Sequence, residues 1–372
     1  MASVKQRPDG KYRARYRDSD GKEHAQHFDR KRDADRWLDK MSSDLLRGVW
    51  VDPDAGKVTF GAWWGDYDKT KTKRRATTKA RDLAVIRRWW LPAFKDVQLK
   101  AITPGRVRAV VADMTEALAP ATVRTNYGVF RAVMAAAVDA DLIGRSPCRG
   151  VEMPDPSAAP PRFLSVVELA ALADAMPVEY RPMVYVAGVV GLRWSEVAGL
   201  RVGRLDFLRR TLTVAETVAE VEGKIMFAPP KTLASCRTVG VPAPVMDMLA
   251  EHLARRGRPG PDELVFVAER GGPLRAPHFR RRVWAPAVKA AKLEGLTFHG
   301  LRHSAAGLMI ELGAHPRVIQ QRLGHSSIRT TMDVYGSVLP TVDDAVTAGL
   351  AELVTESRGL TADQAESGTS AG

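Results

Sequence analysis

Cysteine is nearly absent from this chain of 372 residues: only Cys148 and Cys236 occur, far apart. Neither has a second thiol or a histidine at metal-ligand spacing, which argues against a disulfide framework and a zinc ribbon and fits a reducing compartment. Long apolar runs are missing as well. The run from Met183 to Leu192 is about half of what a membrane span requires. The first residues, Met1-Ala2-Ser3-Val4-Lys5-Gln6, have no apolar signal core. A soluble cytoplasmic protein without a membrane partner is expected, and no internal repeat is present.

Positive charge is what the chain has in excess. Lys and Arg number 56 against 43 Asp and Glu, giving a formal net charge of +13 and a pI near 9.9. Such a balance suggests a polyanionic partner but fixes neither fold nor chemistry. Its distribution says more. Residues 57–150 hold 18 basic against 8 acidic side chains, whereas residues 1–56 hold 13 against 11 and residues 151–355 hold 24 against 21. Most of the excess therefore sits in one central segment.

Hydropathy patterning divides the chain further. Near the N-terminus Lys11, Arg13, Arg15 and Arg17 alternate with Tyr12, Ala14 and Tyr16, the period-two signature of a strand with one basic face. Asp20-Gly21 signals a hairpin turn, and His24, Gln26 and Phe28 suit a returning strand. Asp29 is expected to cap a helix with the stripe Ala34, Trp37, Leu38, Met41 and Leu45, ending near Gly48. A small three-stranded sheet packed on one helix results, spanning residues 1–56. Its basic face makes Lys11, Arg13, Arg15 and Arg17 candidate phosphate contacts.

From Val58 to Ala137 the apolar clusters around Trp63, Trp89, Val110 and Val133 predict a bundle of four helices, with the paired tryptophans in its core. Lys71, Lys73, Arg74, Arg75 and Lys79 form a dense basic stretch, and Arg124 lies on a later helix. Such charges grip phosphates without reading bases. Residues 149–162 carry four prolines and no periodicity, marking a linker and a boundary near residue 150. Beyond it, helices begin near Ser165 and Val178. A strand-rich patch covers Thr211 to Val241, and helices resume at Pro244. A segment from Val342 has the spacing of an amphipathic helix, while residues 356–372 are small and polar, as in a disordered tail. The fold class expected is thus α+β and multidomain: sheet plus helix, four-helix bundle, and a mainly helical C-terminal domain with a small antiparallel sheet, covering residues 151–355.

The C-terminal half also carries a chemically suggestive series: Gly-Leu-Arg193-Trp-Ser-Glu196, Lys231-Thr, His299-Gly-Leu-Arg302-His303, Leu-Gly-His325-Ser, and Tyr335. Breaking a phosphodiester without a metal needs a nucleophile, fixed positive charge on the non-bridging oxygens and an acid for the leaving oxygen. Tyr335 can attack, provided a base or strong field assists a phenol whose reference pKa is about 10. Arg193 and Arg302 suit the oxyanion role, because a guanidinium stays charged and offers a planar fork. His299 and His303 lie four apart like a zinc pair, but the intervening Gly-Leu-Arg lacks the glutamate of a metalloprotease helix. Neither metal nor cofactor is expected.

In order and spacing this series, with Ser235-Cys-Arg237 after Lys231-Thr, resembles the tyrosine recombinases, specifically the bacteriophage-type integrases. The resemblance covers residues 160–350 through its motifs and, more loosely, the helical middle and N-terminal sheet, which are similar to the family's core-DNA-binding and arm-DNA-binding domains. It implies that Tyr335 forms a 3′-phosphotyrosyl bond and that Arg193 and Arg302 clamp the phosphate. Lys231, at a β-hairpin turn, would protonate the leaving 5′ oxygen, His299 would handle the tyrosine proton and His325 would bond the phosphate, with Glu196 in support. The partners implied are duplex attachment sites of phage and host, a homotetramer on DNA with a Holliday-junction intermediate, a directionality factor and a host DNA-bending protein. Val190 stands where the family often has threonine, and the interval from His325 to Tyr335 has the phage-type length; both narrow the subfamily. Exchange of the helix from Val342 between subunits and its packing within one subunit are both open. A regulator that binds DNA without catalysis, and a type IB topoisomerase, are the alternatives.

Overall fold

In the computed structural model the described residues are 2–19, 21–47, 50, 52, 54–155, 162–230 and 232–335, with 347, 350 and 351. The chain divides into two compact units, Met1–Ala158 and Ala159–Gly372.

The first unit begins with an antiparallel meander, β1 (Ser3–Gln6), β2 (Tyr12–Arg17) and β3 (Glu23–Phe28), followed by α1 (Lys31–Leu46). Alternation sets the faces: Ala14 and Tyr16 are buried against Ala34 and Leu38 of α1, while Arg13 and Arg17 face outward. The Trp50 indole donates to the Tyr16 hydroxyl at 2.7 Å, tying the chain beyond α1 to the sheet. Asp29 does not cap α1. The helix begins at Lys31, so Arg30 occupies the N-cap, without a side-chain bond, and Asp29, one residue too early, pairs with Lys11 at 3.3 Å on the surface. Gly48 lies outside the described residues.

Four helical stretches then build the predicted bundle: α2 (Phe60–Thr70), a composite of α3 (Ala76–Val85) and α4 (Leu91–Phe94), α5 (Pro104–Ala117) and α6 (Pro120–Asp139). Thr59 and Thr103 cap α2 and α5 through their hydroxyls. Trp64 and Trp90 are buried, and Trp90 stacks on Phe130 at a centroid distance of 3.9 Å, worth about 1 kcal/mol beyond its buried area. Between α3 and α4 the ladder widens into a π turn, Ile86–Trp90. Pro92 explains it: with no amide hydrogen and a ring that clashes with the carbonyl four residues back, proline prevents a regular α-turn there.

The second unit opens with α7 (Val166–Ala175), α8 (Arg181–Gly188) and the single turn α9 (Trp194–Val197). Ser165 and Glu168 close a reciprocal capping box at the start of α7. The apolar run beginning at Met183 forms α8, which is buried almost all round at the centre of the core. Three strands, β4 (Leu205–Asp206), β5 (Thr211–Val214) and β8 (Arg237–Gly240), form one antiparallel sheet in the order β4-β5-β8, and β6 (Thr217–Val221) pairs with β7 (Lys224–Ala228) as a hairpin. Next come α10 (Ala243–Arg255), α11 (Ala276–Phe279) and α12 (Ala285–Ala290), the last two joined by a second π turn, Arg280–Trp284, just before Pro286. Then follow α13 (Phe298–Glu311), α14 (Pro316–Leu323) and α15 (Ile328–Tyr335), the last packed on α13 and α14. Apart from residues 347, 350 and 351, the segment from Val342 and the tail 356–372 lie outside the described residues.

Candidate active site

Arg193 and Arg302, separated by more than a hundred residues, are held by carbonyls of neighbouring turns. Arg193 is the N-cap of α9: its amide donates to Glu196 Oε2 at 3.0 Å and its Nη1 to Glu196 Oε1 at 2.8 Å. Nη2 donates to the carbonyl of Gly324 at 3.3 Å. Arg302, on the buried face of α13 and only 2% exposed, donates from Nη1 to Gly191 O at 2.6 Å and from Nη2 to Leu323 O. Adjacent carbonyls, Leu323 and Gly324, therefore hold one guanidinium each. Burial and repulsion from Arg193 pull Arg302 down to about 9, so it remains a cation at neutral pH.

Two glycines make this approach possible. Gly191 has φ +88°, and a Cβ there would lie 2.3 Å from Leu323 Cδ2. Gly324 ends α14 in the left-handed conformation, the usual way a helix stops and its chain reverses. His325 follows at once. Its Nδ1 lies 2.9 Å from the buried Thr331 hydroxyl, and if that hydroxyl donates, the ring proton sits on Nε2, free to bond an anion. Burial, reinforced by Arg302, Arg193 and Arg237, holds His325 down to about 4.

His299 occupies the first turn of α13, whose N-cap Thr297 accepts the Gly300 amide at 3.2 Å. Its ring meets His303 edge-on at 4.8 Å. Desolvation by packed neighbours, with repulsion from His303, Arg302 and Arg193, pushes it down to about 4, although the residue is exposed at the surface of the site. His299 and His325 are thus neutral at pH 7 and able to accept a proton or share one. Glu196, 2% exposed, would be raised by burial alone, but Arg237 and Arg193 more than offset this and hold its carboxyl below the usual range.

Lys231 lies outside the described residues. The described strands on either side of its segment, β7 and β8, belong to different sheets. Tyr335 closes α15; its ring is outside the described residues.

The candidate DNA contacts differ in availability. Arg17 and Lys73 are exposed. Arg13 and Arg15 approach Glu23 at 3.3 and 3.4 Å, Lys79 approaches Asp68 at 3.5 Å, and Lys71 lies over the Tyr67 ring. Arg75 is exposed at the N-cap of α3, and Arg124 donates to Pro154 O at 2.8 Å. Arg74 is different: only 17% exposed, it bridges Asp68 at 3.0 Å and Asp82 at 3.1 Å, and so serves the bundle's own packing. Sequence reasoning also passed over exposed arginines on both π turns, Arg87 and Arg88 in the first and Arg280, Arg281 and Arg282 in the second. Their signal was there to find: Arg-Arg-x-Trp-x-Pro occurs twice, as Arg87 to Pro92 and Arg281 to Pro286.

Comparison with known proteins identifies the family. The phage integrase family matches residues 162–340, and the N-terminal domain of phage integrases matches residues 2–47. A putative prophage phiRv2 integrase of Mycobacterium tuberculosis is 30% identical over 336 residues, covering 87% of this chain and 88% of its own length. Among solved structures, the Tn1549 transposon integrase in complex with transposon right end DNA superposes with a TM-score of 0.66 at 18% identity, covering 78% of this chain and 100% of its own. A lambda integrase tetramer bound to a Holliday junction does so with a TM-score of 0.53 at 19% identity, over 87% and 95% respectively. With the order of motifs, the paired arginines and these likenesses together, the chain belongs to the phage integrase family and is a tyrosine site-specific recombinase.

Proposed function

We propose that this recombinase joins phage and host attachment sites, working as a homotetramer on DNA through a 3′-phosphotyrosyl intermediate and a four-way junction. The phenolic oxygen of Tyr335 attacks the scissile phosphorus, a new P–O bond forms, and the bond to the 5′ oxygen breaks. His299, kept neutral, takes the phenolic proton. Arg193 and Arg302 neutralise the non-bridging oxygens, His325 donates to one of them, and Lys231 gives its proton to the departing 5′ oxygen. One ester replaces another, so rejoining needs no nucleotide. The arm module of residues 1–56 and the bundle of residues 57–150 grip the duplex, with Arg17 and Lys73 among the contacts, and residues 151–355 cut it. The lambda integrase of similar fold, a tetramer bound to a Holliday junction, supports this reading.

One observation carries this reading. Two guanidiniums from distant elements are seated on the adjacent carbonyls of Leu323 and Gly324, with His325 next in the chain, an arrangement suited to a single anionic centre. The test is capture from a randomised pool of nicked duplexes in chelator. The wild-type chain is expected to form a covalent adduct and to yield a core-site duplex on sequencing. Tyr335→Phe should bind that duplex but form no adduct. Equal adduct in Tyr335→Phe would move the nucleophile elsewhere; none in the wild type would favour a DNA binder without catalysis.

A further inference from the structure

Arg237 opens β8 with a side chain only 6% exposed. Four of its five N–H donors are engaged: Nε with Arg322 O at 2.6 Å, Nη1 with Glu196 Oε1 at 3.2 Å and Ser235 O at 3.1 Å, and Nη2 with Glu196 Oε2 at 3.0 Å. A guanidinium so occupied has little left for a phosphate oxygen. Whatever it does for the reaction runs through its partners.

The chief partner is Glu196, whose two oxygens are shared between Arg237 and Arg193. A buried carboxylate beside one arginine closes on it fork to fork, the strongest arrangement of the pair. Here Arg237 already fills that geometry. Glu196 therefore reaches the Arg193 guanidinium through Nη1 alone, leaving Arg193 with N–H groups to spare. The charge count points the same way. Arg193, Arg302 and Arg237 against Glu196 leave two positive charges at the site, and without Arg237 only one.

A second contact links Arg237 to the other side of the site. By holding Arg322 O it fixes the last turn of α14, and Gly324 packs so closely that a Cβ there would lie 3.1 Å from Arg237 Cδ and Nη1 and 2.9 Å from Ala234 O. The turn that aims His325 is built against this side chain.

We propose that Arg237 is a positioning residue for strand cleavage: it occupies Glu196 so that the Arg193 guanidinium stays available to the scissile phosphate, and it braces the turn carrying His325. This rests on the catalytic reading of Arg193 given above.

The test uses the full-length chain and the captured core-site duplex, following adduct formation, gel-shift affinity and thermal melting. Arg237→Gln is expected to form adduct about a hundredfold more slowly, the order of losing one oxyanion donor, with unchanged duplex affinity. Arg237→Lys, which keeps the charge but not the fork, should fall between it and wild type, and it supplies the readout if Arg237→Gln does not fold. Two measurements separate positioning from mere structural support. Combining Arg237→Gln with Glu196→Gln removes the carboxylate that would capture Arg193, so the double variant should cleave faster than Arg237→Gln alone. A duplex with a methylphosphonate at the scissile position, which carries less charge to neutralise, should narrow the gap to wild type for Arg237→Gln and Arg193→Ala alike. A double variant slower than the single one, or a gap that methylphosphonate leaves unchanged, overturns the proposal. Wild-type cleavage by Arg193→Ala would instead overturn the catalytic reading; its loss, with normal cleavage by the folded Arg237 variants, would overturn this inference alone.

Discussion

Substituting Gly191 by alanine tests the geometry of the site most directly. The added Cβ would lie 2.3 Å from Leu323 Cδ2 and 3.4 Å from Ala305 Cβ, at a residue whose φ is +88°. Leu323 is 1% exposed and packed among Ala305, Ile310 and Ile319, so it has little room to withdraw. The left-handed backbone costs an alanine about 1–2 kcal/mol, and overpacking a filled core costs about 1–3 kcal/mol more. The sum, about 2–5 kcal/mol, corresponds to a fall in melting temperature of roughly 4–20 °C for a unit of this size. Because the carbonyls of Gly191 and Leu323 both hold Arg302, adduct formation should fall in parallel. A double-mutant cycle with Leu323→Ala isolates the clash: the pair should be about 1–3 kcal/mol less destabilising than the two single changes added together. Calorimetric melting supplies all three values. A Gly191→Ala variant that melts within about 1 °C of wild type would show that the left-handed turn and close approach are not as described, and the seating of Arg302 would have to be redrawn.

Two further predictions follow from charge. His299 and His325 are held near 4 rather than 6.5, so between those values the unfolded chain takes up protons that the folded chain refuses. Their contribution to stability is therefore full above pH 6.5 and declines as pH falls towards 4; the melting temperature should follow, His325→Gln should flatten the decline, and cleavage should show no inflection at 6.5. An inflection there would contradict a half-buried His325 kept neutral. In DNA binding, Arg281→Ala with Arg282→Ala should reduce the log–log salt slope by about 2 without changing the melting temperature. Arg74→Ala should leave the slope unchanged but destabilise by about 1–2 kcal/mol, the cost of its charged hydrogen bonds, since Lys79 still reaches Asp68 and Arg81 still holds Asp82. An exchange of these two outcomes would reverse the assignment of interface and packing.

What the sequence disclosed depended on how local the signal was. Alternation placed Tyr12, Ala14 and Tyr16 opposite the arginines of β2, and the 3.6-residue pattern found the four helical stretches of the bundle, because each signal sits within one element. Arg193 and Arg302 stood out through short motifs set by tight turns: Gly191 is required by its φ and by Leu323. Arg237 stood out too, in the Ser-Cys-Arg that follows Lys231-Thr, but its partner did not, because Glu196 lies 41 residues away and nothing near Arg237 in the chain announces a buried carboxylate. Arg74 misled for a related reason. In a basic run it has the pattern of a solvated charge, yet Asp68 and Asp82 reach it from the flanking helices. Asp29 was chosen as a cap by type and position, one residue ahead of the N-cap that the helix adopts.

The paired π turns have a consequence for how this chain can vary. Each amounts to one residue spliced into a continuous helix, and an α-helix turns by about 100° per residue. Losing that residue would swing everything after it by the same angle, bringing the indole of Trp90 or Trp284 out of its pocket and turning the neighbouring guanidiniums inward. Length at these two places is therefore locked, whereas side-chain identity on the outer surface is not. Arg87, Arg88 and Arg280–Arg282, exposed on the outer surface, can give way to other side chains, while proline and tryptophan keep the frame beneath in phase.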